Sequence, residues 1–388
     1  MKYRKFGKLD WKVSALGFGT MRLPVINNDY GKIDQPAAVD MMRYAIDRGV
    51  NYFDTSYIYH NGNSEVALGE ALKEGYRDKV RIATKLPCWI VNSDSDFDRI
   101  FSEQLKRLQT ERIDFYLLHG LNRDLWPKMR DLGVIKWAEG AIADGRIGAL
   151  GFSFHDSYDI FQSIVDGYRG WNFCQIQYNY MDQEFQAGTR GLTYAHKKGL
   201  AVIAMEPIRG GLLATPPETV KQLLTDESAT LQPQELALRW VWNHPEVTLA
   251  LSGMSTMAQV KENIAFADRS QPHNLTADEV KLVAQIRDAY LALTPVTCDG
   301  CQVCMPCPDG VKLDIPRVFD FYRAAVMYND AEHQRMMYSD PQMFNPETRA
   351  DKCNECGQCM EKCPQNLPIP ELLKKAHKYL TEKEKSCS

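Results

Sequence analysis

Two cysteine runs near the C-terminus restrict what this chain can become more than any other feature. Cys298, Cys301, Cys304 and Cys307 form the first run, closed by Pro308; Cys353, Cys356, Cys359 and Cys363 form the second, closed by Pro364. Three thiolates separated by pairs of residues wrap one tight loop around a metal group, and a fourth cysteine before proline completes the neighbouring group. The spacing predicts two [4Fe-4S] clusters. Cross-pairing puts Cys298, Cys301, Cys304 and Cys363 on one cluster, and Cys353, Cys356, Cys359 and Cys307 on the other. The first run has two residues rather than three before its last cysteine, which leaves a three-iron or single-cluster variant open. Zinc needs only four ligands, whereas this segment offers eight. Disulfides would suit an oxidising compartment, yet Met1-Lys2-Tyr3-Arg4-Lys5 leads into no apolar stretch of signal-peptide length. Cys88 and Cys174 read as small buried hydrophobes, and Cys387 as a thiol in a frayed tail.

The array resembles that of bacterial two-cluster ferredoxins, attached to a chain whose first three quarters are of another kind. Of the 388 residues 44% are apolar, enough for a substantial core, and a net charge of −4 gives no basic surface for nucleic acid. No apolar run approaches the roughly 18 residues of a membrane span. A soluble, cytoplasmic protein with reduced thiols is expected.

Up to about residue 293, short apolar runs alternate with amphipathic stretches. Strands are expected at Ala15–Gly19, Asn51–Thr55, Val80–Lys85, Ile113–His119, Gly148–Ser153, Phe173–Tyr178, Ala201–Glu206 and Thr248–Ser252. Helical spacing appears at Ala37–Arg48 and Phe97–Leu108, and Gly49, Gly145 and Gly199 stand where helices close. Eight strands alternating with helices predict an α/β fold, a (β/α)8 TIM barrel. A doubly wound sheet is the alternative, but Gly17-Phe18-Gly19-Thr20 leads into Pro24 and a loop rather than a glycine fingerprint. The domains expected are a barrel over 1–293, an iron–sulfur domain over 294–372 with a helical insert at 309–352, and a tail over 373–388. Asp314 and Pro316 mark a helix start inside the insert.

Active sites of such barrels lie at the C-terminal ends of the strands. Asp54 and Tyr59 follow the second barrel strand, Lys85 ends the third and His119 the fourth. Asn51-Tyr52-Phe53-Asp54-Thr55 with Tyr59, Ala83-Thr84-Lys85, and Asp114-Phe115-Tyr116-Leu117-Leu118-His119 resemble the catalytic motifs of the aldo-keto reductase family. Gly151-Phe152-Ser153, the run Cys174 to Asn179, Glu206-Pro207 with Gly211, and Ser252-Gly253 with Asn263 extend the resemblance over residues 1–267. It implies that Tyr59 is the acid/base, that Lys85 supplies positive charge beside it, that Asp54 holds Lys85, and that His119 orients a carbonyl substrate. An ammonium near a tyrosine favours phenolate, so a lowered Tyr59 pKa is expected.

The same resemblance implies NADPH or NADH in extended form across the barrel mouth, with Ser153 and Gln175 at the carboxamide. Met205 stands where many members have a stacking aromatic, and Arg209 with Gly210-Gly211 is placed to cradle a pyrophosphate. Ser252, Gly253, Gln259 and Asn263 complete the cofactor side, Gly253 and Gln259 replacing basic residues that select the 2′-phosphate. Met21, Tyr57, His60, Trp89 and Trp126 suggest a partly aromatic pocket for a small-molecule carbonyl compound.

A hydride carries two electrons and a cluster normally one, so a flavin is a candidate mediator between them. Three readings follow from the fusion: an oxidoreductase coupled to the clusters and to an electron-carrier protein; a carbonyl reductase with structural clusters; and a non-catalytic redox sensor or electron-transfer subunit that uses the barrel as a docking body.

Overall fold

A computed structural model describes residues 1–225, 231–341 and 343–382; Cys387 and the end of the expected tail lie outside the described residues. A hairpin opens the chain, β1 (Tyr3–Lys5) pairing antiparallel with β2 (Lys12–Ser14). Eight parallel strands follow: β3 (Leu16–Gly19), β4 (Tyr52–Asp54), β5 (Arg81–Pro87), β6 (Ile113–Leu121), β7 (Ile147–Phe154), β8 (Phe173–Gln177), β9 (Ala201–Met205) and β10 (Leu249–Gly253). They pair in chain order, and β10 closes on β3. The TIM barrel is therefore present, with each expected strand within two residues of its observed ends. Strands covered on both faces are mostly apolar, and this is why short β-branched runs located them; the buried polar exceptions, among them Asp54, Lys85 and Gln175, lie toward their C-terminal ends.

The helix Ser95–Leu108 shows how the covering layer forms. Phe97, Ile100, Phe101 and Leu108 are buried at helical spacing, while Asp98, Arg99 and Lys106 face water. Gln104 lies on the buried stripe as well.

Phe6, just after β1, is wholly buried inside the barrel, where its ring stacks on Phe115 at 4.6 Å and approaches Phe173 at 5.6 Å. Tyr52, Ala149, Ile203 and Leu249 belong to the same core. On the outer side, Asp114 accepts from Arg77 Nη2 at 2.8 Å, Arg81 Nη1 at 2.9 Å and the Ile82 amide at 2.9 Å, which pins β5 beside β6.

Packing divides the chain into two compact units. One comprises Met1–Gly210 with Gln234–Asp278; the other comprises Gly211–Pro233 with the chain from Glu279 onward. The second unit contains the helices Ile315–Met327, Ala331–Ser339 and Ile369–Thr381. Asp314 caps the first of these, accepting from the Arg317 amide at 3.2 Å, with Pro316 in its first turn. The last runs well into the stretch expected as a tail from 373, because Ile369, Leu373, Ala376 and Leu380 repeat at helical spacing and are all buried. Among the described residues no helix is long and apolar enough to cross a membrane.

All seven tryptophans lie between Trp11 and Trp242, so their fluorescence reports the barrel. Phe6→Ala should remove about 3–5 kcal/mol from barrel stability. Thermal unfolding followed by tryptophan fluorescence measures the loss, and an unchanged midpoint would mean that the hairpin does not plug the barrel.

Candidate active site

Lys85 lies within β5 and is completely buried. Its ammonium donates to Asp54 Oδ1, to the Thr55 carbonyl at 2.8 Å and to the Tyr59 hydroxyl at 3.4 Å. Gln175 Nε2, from β8, donates to Asp54 Oδ2 at 3.0 Å. His119, in β6, has its ring 6.0 Å from that of Tyr59 and nearly perpendicular to it. Ser56 Oγ lies 3.1 Å from His119 Nδ1. The structure thus brings Asp54, Tyr59, Lys85 and His119 together at adjacent strand ends.

Burial and partners compete at each group. Burial acts to lower Lys85, but Asp54 and Tyr59 outweigh it and its pKa stands above normal. Burial raises Asp54 against the opposing pull of Lys85 and Gln175. It also raises Tyr59, with Lys85 only offsetting part of the shift. The expectation of a lowered phenol pKa is therefore corrected: the desolvation of Tyr59 is the larger effect. Burial, the Lys85 charge and nearby His155 push His119 well below its normal value, which keeps its imidazole neutral.

Behind these groups lies a buried polar layer that sequence reasoning missed. Glu65 Oε1 accepts from the Thr84 hydroxyl at 2.6 Å and from Gln104 Nε2 at 3.0 Å. Gln104 Nε2 also donates to the Lys85 carbonyl at 3.0 Å, and Gln104 Oε1 accepts from the Tyr116 hydroxyl at 2.7 Å. A signal was available, since Gln104 falls at i+7 from Phe97 on the apolar stripe of its helix.

On the expected cofactor side, Ser153 is buried at the end of β7 and its Oγ accepts from the Gly120 amide at 2.8 Å. Met205 is half-buried at the end of β9. Asn263 Nδ2 donates to Ser252 Oγ at 3.1 Å, and Gln259 Oε1 accepts from the Ser255 amide at 2.8 Å. Arg209 is ion-paired with Asp182, a carboxylate that also accepts from Gln177 at 2.8 Å and Asn179 at 2.7 Å. Arg22, which sequence reasoning passed over, runs across the end of β10. A Cβ on Gly253 would meet its side chain at 3.3 Å, and one on Gly210 would stand 2.9 Å from its Nη2.

Among the pocket residues, Met21 and Trp89 are exposed, with the Trp89 ring 5.0 Å from that of His119. Trp126 is buried and packs 5.7 Å from Trp171, so it belongs to the core and not to a pocket. Tyr57 donates to Glu103 at 2.7 Å. His60 is buried, its Nδ1 2.6 Å from the Tyr30 carbonyl and its ring stacked on Tyr30 at 4.4 Å.

In the second unit both cysteine runs have one backbone pattern. Left-handed residues flank the second cysteine of each, Gly300 and Gln302 around Cys301 and Glu355 and Gly357 around Cys356. The Cys301 amide donates to Asp299 at 3.1 Å and the Cys356 amide to Asn354 at 3.4 Å. Cys298, Cys301, Cys304 and Cys363 line one small pocket with Ile315, Phe319 and Leu367. Cys359 is within electrostatic reach of Cys353, Cys307 and Cys356. Among the described residues no three such groups converge closely enough to chelate a single ion.

Residues 15–288 match the profile of the aldo/keto reductase family. The chain belongs to that family. It is accordingly an oxidoreductase in class, and residues 297–368 match a 4Fe-4S dicluster domain. Among relatives of this aldo/keto reductase, L-galactose dehydrogenase of Arabidopsis thaliana is 27% identical over 76% of this chain and 97% of its own. "Uncharacterized oxidoreductase YrpG" of Bacillus subtilis is 26% identical over 68% of this chain and 90% of its own. The solved aldo-keto reductase AKR11C1 of Bacillus halodurans superposes with a TM-score of 0.61 at 27% identity, covering 74% of this chain and 96% of that one. An aldo-keto reductase of Klebsiella pneumoniae, solved in complex with NADPH, gives 0.59 at 24% identity, covering 74% and 95%.

The depressed pKa of His119 in this reductase has a consequence for acid stability. As pH falls through 6.5, the unfolded chain binds a proton that folded His119 refuses. Stability then falls by up to about 1.4 kcal/mol per pH unit. His119→Gln should lose stability less steeply between about pH 7 and about pH 5.5, read by tryptophan fluorescence melts. Parallel slopes would show that folded His119 takes up its proton normally.

Proposed function

We propose that the barrel reduces the carbonyl of a small molecule, or oxidises the corresponding alcohol, with Tyr59 as the acid/base. The observation that carries this reading is the Lys85 ammonium, shared between Asp54 and the Tyr59 hydroxyl. NADPH or NADH supplies or accepts the hydride; a flavin has no comparable support. Tyr59 holds its proton at neutral pH and gives it to the forming alkoxide, while Lys85 stabilises the phenolate left behind. Neutral His119, with Ser56 beside Nδ1, would use its other nitrogen to direct a proton at the carbonyl oxygen. Ser153 and Gln175 stand where the family holds the carboxamide. Arg22 and Arg209 stand by the ends of β9 and β10, the seventh and eighth barrel strands, whose loops often bind phosphate in such barrels. A cytoplasmic location is part of the proposal, because thiols stay reduced there.

Two [4Fe-4S] clusters are assigned to the cysteine runs, cross-paired, and they exchange electrons one at a time. The shared cavity of Cys298, Cys301, Cys304 and Cys363 supports the pairing. Burial holds the Cys304 thiol up at about 11, and an adjacent cation is what would ionise it. We further propose that the clusters are coupled to the barrel chemistry and to an electron-carrier protein, because eight ligands exceed what folding so short a segment needs.

Tyr59→Phe should cut turnover at least ~10²-fold with coenzyme affinity nearly intact. Steady-state kinetics with a parallel coenzyme titration measures both, and near wild-type turnover would remove Tyr59 from the mechanism.

Cys363→Ser, purified anaerobically, should damage the cluster of the first run and spare that of the second. Mössbauer and EPR spectra distinguish the two, and loss of the second instead would establish sequential pairing. The same variant should turn over more slowly if the clusters are coupled; full activity would leave them a structural role.

A further inference from the structure

His60, Asn61 and Gly62, immediately after Tyr59, stand one after another in the left-handed region, with φ of 50°, 56° and 91°. Two of them carry side chains, so the turn stores about 1–3 kcal/mol of strain at each. A strained turn persists only where its surroundings over-determine it, and such turns gather at working sites.

Arg107, from the helix Ser95–Leu108, grips this turn from both sides. Its Nη1 donates to the Tyr57 carbonyl at 2.8 Å and to Glu65 Oε2 at 3.3 Å, one residue group before the turn and one after it. The guanidinium lies 4.3 Å from the centre of the Tyr57 ring. It also fills the space over Gly62, where a Cβ would stand 2.7 Å from Nη1. Glu103 takes Nη2 at 2.5 Å, which orients the fork. Glu65 is itself fully buried and anchored by Thr84 and Gln104, and Gln104 reaches the carbonyl of Lys85. A continuous set of hydrogen bonds therefore joins the turn that carries Tyr59 to the strand that carries Lys85.

We infer that Glu65 and Arg107 are positioning residues that hold the Thr55–Gly62 turn against β5, fixing the Tyr59 hydroxyl 3.4 Å from Lys85 Nζ. The inference rests on Tyr59 being the proton donor. Neither residue has a contact with Tyr59 Oη or Lys85 Nζ among the hydrogen bonds described, so each acts through the backbone. An ion pair that merely stabilised the fold would change the melting temperature and leave turnover per folded molecule alone. A clamp acts differently, because displacing a proton donor by about 1 Å can slow a reaction by about a hundredfold.

The experiment uses the anaerobically purified full chain with its clusters, as wild type, Arg107→Ala, Arg107→Lys and Glu65→Gln. Reduction of 4-nitrobenzaldehyde by NADPH gives kcat and KM, NADPH fluorescence gives coenzyme affinity, and amide hydrogen exchange is read over residues 55–62. Arg107→Ala should lose about ten- to a hundredfold in kcat, with KM and NADPH affinity within about threefold of wild type. Exchange over 55–62 should rise while the barrel strands keep their protection. Arg107→Lys should fall between, and added guanidinium should restore part of the turnover of Arg107→Ala. Glu65→Gln keeps the volume and removes the charge facing Arg107, so it should move in the same direction; it decides the matter if Arg107→Ala does not fold. Unchanged exchange over 55–62, or a kcat per folded molecule equal to wild type, would overturn the inference. Should Tyr59→Phe reduce the aldehyde as fast as wild type, the proton-donor reading fails, and the exchange measurement still decides whether the pair holds the turn.

Discussion

A positive charge held out of water organises the upper half of this barrel. Lys85 is wholly buried, and removing one partner of such a charge typically costs about 3–5 kcal/mol. The oxygens around it come from Asp54 and Thr55 at the end of β4 and from Tyr59 in the turn beyond. The register that sets Asp54 opposite Ala83 is thus tied to the site. Gln175 extends the dependence to β8, on another part of the barrel wall. The atoms that satisfy this buried charge are the ones to which the proposed chemistry is assigned.

The two ends of the barrel are built from different materials. Around Phe6 the interior is aromatic and aliphatic, and shape alone fills it. At the strand ends, hydroxyls replace methyl groups. Thr20 Oγ1 lies 2.6 Å from Ser64 Oγ, which in turn lies 2.9 Å from Thr55 Oγ1. Buried polar networks fix directions that apolar packing leaves soft, provided every member is satisfied.

The C-terminal unit solves a different problem. Cys304 and Cys359 belong to the same buried core as Val318, Phe319, Tyr338 and Leu373. Thiols in such surroundings resist ionisation, and iron binding ionises them. On the proposed assignment of these cysteines as cluster ligands, filling the core and loading the metal would be one process, linking folding of this unit to cluster assembly.

The sequence by itself determined the eight strands, because strands covered on both faces read as short, mostly apolar runs. It also determined the cysteine loops, whose ligands are local in the chain, and the strand-end positions of Asp54, Tyr59, Lys85 and His119. Only the tertiary structure decided what depends on distant partners. Glu65 and Gln104 read as polar helix residues until burial placed one against the other, and Arg22 gained meaning only beside Gly210 and Gly253. Trp126 could line a pocket or a core, and its packing on Trp171 chose the core. The Tyr59 phenol is the clearest case. Its neighbouring lysine was legible and pointed to a lowered pKa, but the desolvation that reverses the direction belongs to the assembled site, where solvent is excluded by segments far apart in the chain.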